Sequence, residues 1–229
     1  MIYTFQNHLT IHPTLFGPTM EMMHIEREPM VYDASARFAW HKGGDLTRQF
    51  LDELSVLWEK RTGSRRIFDE PFVIDTRVHM LKPGWLPAIG GWHCDAVPRG
   101  EDGQPDLAQL RDSDDRHFTL TIATDPLLSR TAFASTPKDV FVRPEPELGS
   151  VWSRVHGDVA ANLDPESVVY APHGKLVEFR RDTLHKATKA DRDGWRFFAR
   201  ASYRPGVTST QNKVRRQVQA YIESEGAGW

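Results

Sequence analysis

The chain has 229 residues, 39% of them hydrophobic and 26% charged, enough to bury one full core. Its 29 Lys and Arg against 31 Asp and Glu leave a formal charge of −2, which excludes a global positive field for holding a nucleic-acid backbone or an anionic membrane. A single cysteine, Cys94, excludes an intrachain disulfide framework and any metal site built from several thiolates.

The first twenty residues, MIYTFQNHLTIHPTLFGPTM, lack a basic head followed by a continuous apolar run. No apolar stretch approaches membrane-spanning length, so a cytoplasmic protein with no membrane contact is expected. From Asp45 to Lys60, Leu46, Phe50, Leu54, Leu57 and Trp58 share one face and predict a helix that ends at Thr62-Gly63. The period then becomes two: in FVIDTRVHML (72–81), Phe72, Ile74, Val78 and Met80 alternate with Asp75, Arg77 and His79, which predicts a strand with unlike faces. The segment from Ala96 to Arg116 is long, acidic and turn-rich, as binding loops and lids are. Further strands are predicted at 117–124, 131–134, 139–142, 150–155, 167–171, 175–180 and 195–204. A second helix is predicted from Thr210 to Ser224, with Val214, Val218, Tyr221 and Ile222 on one side. The expected organisation is one domain, 1–229. It has a core over about 72–204, an N-terminal flanking region 1–71 containing the helix at 45–60, and a C-terminal helix within 205–229. Short strands at these intervals point to an antiparallel sandwich or barrel rather than to alternating βαβ units.

In an extended His93-Cys94-Asp95 the imidazole and the carboxylate project to one face and Cys94 to the other, so the pair can grip one cation. A second such pair, His156-Gly157-Asp158, lies only 29 residues before His185, little room to build a sheet and return. His93 precedes His185 by 92 residues, enough for several antiparallel strands to bring the two together. His173, a rival third ligand, sits in Pro-His-Gly, a turn sequence. The favoured metal set is therefore His93, Asp95 and His185, a two-histidine, one-carboxylate triad that leaves adjacent positions open for other ligands. In the last strand Arg196, Phe198, Arg200, Ser202 and Arg204 alternate with apolar residues. That guanidinium face either meets solvent or points into a barrel and holds a carboxylate.

These residues resemble the Fe(II)- and 2-oxoglutarate-dependent dioxygenases, whose pattern is His-x-Asp/Glu, a distal His and a basic residue beyond it. Here the pattern reads His93-Cys94-Asp95, His185 and Arg196. The run VHMLKPGWLPAIGGWHCD is similar to the family's approach to its first ligand, and the match extends from about Phe72 to Arg204. The resemblance implies a mainly β fold with flanking α-helices around a double-stranded β-helix, the jelly-roll or cupin-like core. It also implies Fe(II), 2-oxoglutarate as co-substrate and O2, with hydroxylation of an unactivated C–H bond and release of succinate and CO2. By that resemblance Arg196 is the first choice for the 2-oxoglutarate carboxylate and Arg200 the second. Ser202 assists if Arg200-Ala201-Ser202 is the family's Arg-x-Ser form. Thr119 and Thr121, in RHFTLTIAT, are further contacts for the same carboxylate. The implied partner is a small molecule, anionic or amino-acid-like by virtue of Arg200. The alternatives are a nucleobase or protein side chain, with Arg61, Arg65 and Arg66 or Lys213, Arg215 and Arg216 touching phosphate, and a non-catalytic cupin-like protein that binds metal and ligand. Cys94 reads as a small residue packed behind the metal strand or as an oxidation-sensitive thiol, and Trp85 and Trp92 as core or pocket-rim residues.

Overall fold

A computed structural model of the chain describes residues 1–13, 20–110, 114–143, 149–206, 210–216 and 220–221. The strands are β1 (Ile2–Phe5), β2 (Leu9–Ile11), β3 (Met30–Tyr32), β4 (Ala34–Ser35), β5 (Phe72–Leu81), β6 (Arg116–Ala123), β7 (Thr131–Ala134), β8 (Lys138–Phe141), β9 (Val168–Tyr170), β10 (Val177–Arg180), β11 (His185–Ala187), β12 (Gly194–Tyr203) and β13 (Lys213–Arg215). The α-helices are α1 (Ala36–Lys42), α2 (Asp45–Thr62) and α3 (Val151–Asn162).

The strand order defines the architecture. A major sheet runs β2-β10-β6-β12-β5-β4 and a minor sheet β11-β7-β9, to which residue 93 adds an antiparallel bridge beside His185. Followed along the chain, β5, residue 93, β6 and β7 alternate between the sheets, and so do β9, β10, β11 and β12. Two antiparallel sheets fed alternately in this way are a double-stranded β-helix. The N-terminal region is more than a flank: β2 pairs with β10, β4 pairs with β5, and β1 pairs with β8.

The two faces of β12 explain how the sheet is used. Phe197, Ala199 and Ala201 belong to the core formed with Phe50, Leu51, Leu54 and Trp58 of α2 and with Phe72, Ile74, Phe118, Leu120 and Ile122 of the neighbouring strands. Arg196, Phe198 and Arg200, on the opposite side, face the space between the sheets. The helix expected at 45–60 is present and extends to Thr62. The carboxylate of Glu28 accepts from the backbone N–H groups of Gly44, Leu46 and Thr47, satisfying donors that the first turn leaves open. A Cβ at Gly44 would stand 2.3 Å from a Glu28 carboxylate oxygen, so the close approach requires glycine there. Glu178 fastens the same helix to the sheet: its carboxylate takes Arg61 of α2 at 2.8 Å, Arg116 of β6 at 3.0 Å and His12 at 3.0 Å.

Two expected elements differ. The strand expected at 150–155 is the start of helix α3: the Ser150 hydroxyl accepts from the Ser153 N–H at 3.1 Å and caps it. Val151, Trp152, Val155 and Val159 are buried at helical spacing, a period that a six-residue window rich in Val and Trp cannot display. The helix expected at Thr210 to Ser224 is not formed at residues 213–215, which make β13 and pair with β3. Arg215 lies over the Tyr32 ring, 4.5 Å from its centroid, so pairing across the fold overrides the local period. Residues 217–219 and 222–224 of that segment lie outside the described residues. Among the described residues no helix is long and apolar enough to cross a membrane.

Glu178 gives the fold an acid-sensitive anchor. Burial pushes its carboxyl up, but Arg61, then His12 and Arg116, outweigh that and hold it below the ordinary value. A carboxyl lowered by folding contributes stability that is complete above its unfolded value and is lost as pH falls through the folded one. Glu178→Gln is expected to cost roughly 1–2 kcal/mol at neutral pH, less than a fully buried pair because Arg61 and Arg116 keep contact with water. In urea titrations the gap between wild type and variant should close as pH falls below the carboxylate range; a gap that does not change with pH contradicts the assignment.

Candidate metal centre

His93 and His185 are brought together by the backbone. His93 N–H donates to the His185 carbonyl at 3.1 Å and His185 N–H to the His93 carbonyl at 2.9 Å, the reciprocal pair of an antiparallel bridge. The imidazole rings stand 4.6 Å apart between centroids, and Asp95, two residues on, turns to the same side. One ligand atom from each of His93, Asp95 and His185 lies within 4.8 Å of the others, the geometry of a group that can hold a metal ion.

Hydrogen bonding orients both rings. His93 Nδ1 lies 2.7 Å from the Gly91 carbonyl and His185 Nδ1 lies 3.0 Å from the Thr183 carbonyl. A carbonyl only accepts, so each Nδ1 carries the proton and each Nε2 presents its lone pair, as metal-ligating histidines with a carbonyl partner do. Burial, followed by the neighbouring His185, lowers the His93 imidazole to about 4, so it is neutral at physiological pH. Burial works against ionisation of Asp95, but Arg200 and then His185 overcome it and hold the carboxyl well below its ordinary range. A neutral His93 imidazole and an ionised Asp95 carboxylate are protonation states that binding of a divalent cation requires.

The guanidinium face of β12 points into the barrel, and its arginines divide. Arg200 is engaged: Nη1 donates to Asp95 at 2.6 Å and Nη2 to Asp75 at 3.1 Å. Arg196 is 3% exposed and donates to the Ser129 carbonyl at 3.2 Å and to the Thr121 hydroxyl at 3.4 Å, with no acidic partner among the described residues. Burial and the nearby Arg77 bring its pKa down to about 9. A buried guanidinium in that condition fits an incoming carboxylate. Of the other residues singled out in sequence, Thr121 touches Arg196, whereas Ser202 is bonded to His117 Nδ1 at 2.9 Å. Thr119 lies opposite Arg200 in the β6–β12 register. Neither Ser202 nor Thr119 is among the described residues lining the cavity.

The alternatives to the triad are placed elsewhere. His156 and Asp158 lie on α3, where two residues span more than half a turn rather than one face; His156 Nδ1 accepts the Trp92 N–H at 3.2 Å and Asp158 holds Asn162. His173 sits in a turn with Nε2 3.0 Å from the Ala123 nitrogen. Cys94 is packed behind the metal segment with Trp92, Trp152, Val155 and Leu184, and burial, then Asp182 and Asp95, raises its thiol well above the usual value, away from a reactive thiolate. Trp92 is in that core, and Trp85 packs against a smaller cluster with Leu81 and Leu128.

Sequence reasoning passed over three residues on β5. Asp75, Arg77 and His79 pair in register with Arg200, Phe198 and Arg196, so the two strands present one polar floor. Their alternation with apolar residues was the available signal. With the triad they line a cavity of about 390 Å³, a volume suited to a small ligand.

No protein-family model matches the chain, and no curated protein matches it. Among solved structures, the iron-bound HygX of Streptomyces hygroscopicus is similar at 12% identity with a TM-score of 0.49, over 88% of this chain and 83% of that one. A nickel complex of the non-heme monooxygenase ThoJ is similar at 13% identity with a TM-score of 0.42, over 88% and 75%. An N-substituted L-amino acid dioxygenase of Burkholderia ambifaria is similar at 14% identity with a TM-score of 0.35, over 85% and 94%. The fold is defined here by strand order and the site by its own geometry.

The Asp75–Arg200–Asp95 relay supports the carboxylate of the triad. Arg200→Gln is expected to weaken Zn2+ binding about ten-fold, the scale of losing a partner that orients a ligand, with Arg200→Lys keeping most of the affinity. Isothermal titration checks this; wild-type affinity in Arg200→Gln would show that Asp95 needs no such support.

Proposed function

We propose that the chain is an Fe(II)- and 2-oxoglutarate-dependent oxygenase that hydroxylates an unactivated C–H bond of a small molecule, with succinate and CO2 as co-products. The observation that carries this reading is the shared cavity of the His93, Asp95 and His185 group and Arg196, a buried cation with no acidic partner among the described residues. His93 and His185 would hold iron through Nε2 and Asp95 through its carboxylate. Arg196, steadied by the Ser129 carbonyl and the Thr121 hydroxyl, would hold the far carboxylate of 2-oxoglutarate. Iron, 2-oxoglutarate and O2 together supply the oxidising chemistry. The protein's own contribution is positioning and exclusion of water: the backbone bridge fixes the imidazoles, Arg200 keeps Asp95 ionised, and the two sheets enclose the cavity. The cavity volume and the pairing of the surface arginines support a free small molecule over a nucleic-acid substrate. Arg61, Arg65 and Arg66 are held by Glu178, Glu59 and Asp69.

An anaerobic titration of the metal-free protein with Fe(II) and then 2-oxoglutarate tests the proposal through the visible charge-transfer band of the chelate. The band is expected in wild type, absent in His93→Ala and His185→Ala, and shifted to at least about ten-fold higher 2-oxoglutarate concentration in Arg196→Ala, the scale of a lost charged hydrogen bond. Admission of oxygen should then yield succinate. No band in wild type, or a band indifferent to the two histidines, overturns the proposal; a band without succinate leaves a non-catalytic metal- and ligand-binding protein.

A further inference from the structure

Arg77 stands in the middle of the polar floor, opposite Phe198, with the His79–Arg196 pair on one side of it and the Asp75–Arg200 pair on the other. It lines the cavity yet has neither an ion pair nor a hydrogen bond among the described residues, and its Nε is buried without a partner. The carboxylates that could neutralise it are engaged. Asp75 accepts from Arg200 and from the Asp33 N–H at 3.2 Å, and Asp95 accepts from Arg200 at 2.6 Å. The neighbouring histidine brings no charge of either sign: burial, then Arg196 and Arg77, lowers His79 to about 3, so that ring is neutral. Burial, then the nearby Arg200 and Arg215, also lower the proton affinity of Arg77, outweighing Asp75 and Asp95, which act on it without bonding to it.

Asp75 and Asp95 are opposed by Arg77, Arg99, Arg196 and Arg200; Arg99 is exposed and donates to the Gly103 carbonyl, so the charges set back from solvent leave one positive charge in excess. A divalent metal and the 2-oxoglutarate dianion cancel each other and leave that excess in place. Arg196 is the cation committed to 2-oxoglutarate, so the surplus falls to Arg77. Phe198 is its cross-strand partner, and the same cavity has apolar lining from Pro87, Ile89, Val97 and Trp152. A half-buried guanidinium next to an apolar wall selects a ligand with one carboxylate and a hydrocarbon body, because a planar fork binds a carboxylate bidentately and a neutral ligand would leave the charge unpaired.

Resting on the oxygenase reading, we infer that Arg77 determines specificity in this cavity, receiving the carboxylate of a small monocarboxylic acid whose carbon skeleton lies along the Ile89, Trp152 and Phe198 wall. Arg200, the arginine first suggested for an anionic substrate, is already committed to Asp95 and Asp75.

The test uses matched pairs of acids and amides as probes: hexanoate and hexanamide, benzoate and benzamide, phenylacetate and phenylacetamide. Each is titrated calorimetrically into the full chain under anaerobic conditions, with and without Fe(II) and 2-oxoglutarate. In the loaded wild type at least one acid should bind about ten-fold or more tightly than its amide, the scale of one charge-assisted pair. Arg77→Gln should remove the preference, Arg77→Lys should keep part of it, and 2-oxoglutarate should still bind both variants, with a smaller loss of affinity than in Arg196→Ala because Arg77 acts on the Arg196 site only as a neighbouring charge. The inference is overturned if no acid is preferred in wild type, if Arg77→Gln retains the preference, or if that substitution instead removes 2-oxoglutarate binding. An acid preference that depends on Arg77 in a protein that forms no 2-oxoglutarate chelate would support the anion site and overturn the oxygenase reading.

Discussion

The reciprocal hydrogen bonds between the backbones of His93 and His185 are the constraint on which the site depends. The two residues lie far apart in sequence, and neither carries side-chain chemistry that would seek out the other. Their meeting is produced by chain order: each passage from the major sheet to the minor sheet lays a short strand beside an earlier one, and the His93 segment falls next to β11. Once paired, the two side chains are neighbours by strand geometry, and Asp95 follows on the same face because two residues separate it from His93. The segment carrying His93 makes only a single bridge, so its position relies on outside support. The Trp92 N–H is bonded to His156 of α3, and Asp95 is tied through Arg200 to Asp75 on the central sheet.

Electrostatics then divides labour among like residues. Asp75, Arg77, His79, Arg196 and Arg200 share one floor, and low water access makes each unpaired charge costly. Arg200 meets two carboxylates and stabilises the ionised triad. Arg196 and Arg77 meet none among the described residues. His93 stays neutral because burial and the neighbouring His185 outweigh the Gly91 carbonyl, and in both histidines the Nδ1–H bond to a carbonyl turns Nε2 toward Asp95. One sheet face therefore both supports the candidate metal ligands and carries the cations beside them.

Much of this was legible in the sequence wherever a period was long enough to read. The ten-residue alternations of β5 and β12 and the apolar face of α2 map directly onto the observed elements, and the His93, Asp95 and His185 set follows from spacing and strand geometry. What escaped reading depends on contacts distant in sequence. Val151 to Val155 looks like a strand until Val159 and the Ser150 cap reveal a helix, and Lys213 to Arg215 becomes a strand only because β3 offers an edge. The choice between Arg196 and Arg200 could not be made from alternation, since both lie on one face. Register separates the two: Asp75, on another strand, aligns with Arg200 and engages it, whereas Arg196 has no acidic partner among the described residues.

The most direct measurement is anomalous diffraction at the iron edge from crystals loaded anaerobically with Fe(II) and 2-oxoglutarate. The account predicts a single strong peak within bonding distance of His93 Nε2, His185 Nε2 and an Asp95 carboxylate oxygen, with density for 2-oxoglutarate running from that peak to Arg196. Iron bound elsewhere, or at the triad with the co-substrate directed to Arg200 and the Asp95 contact broken, would contradict it.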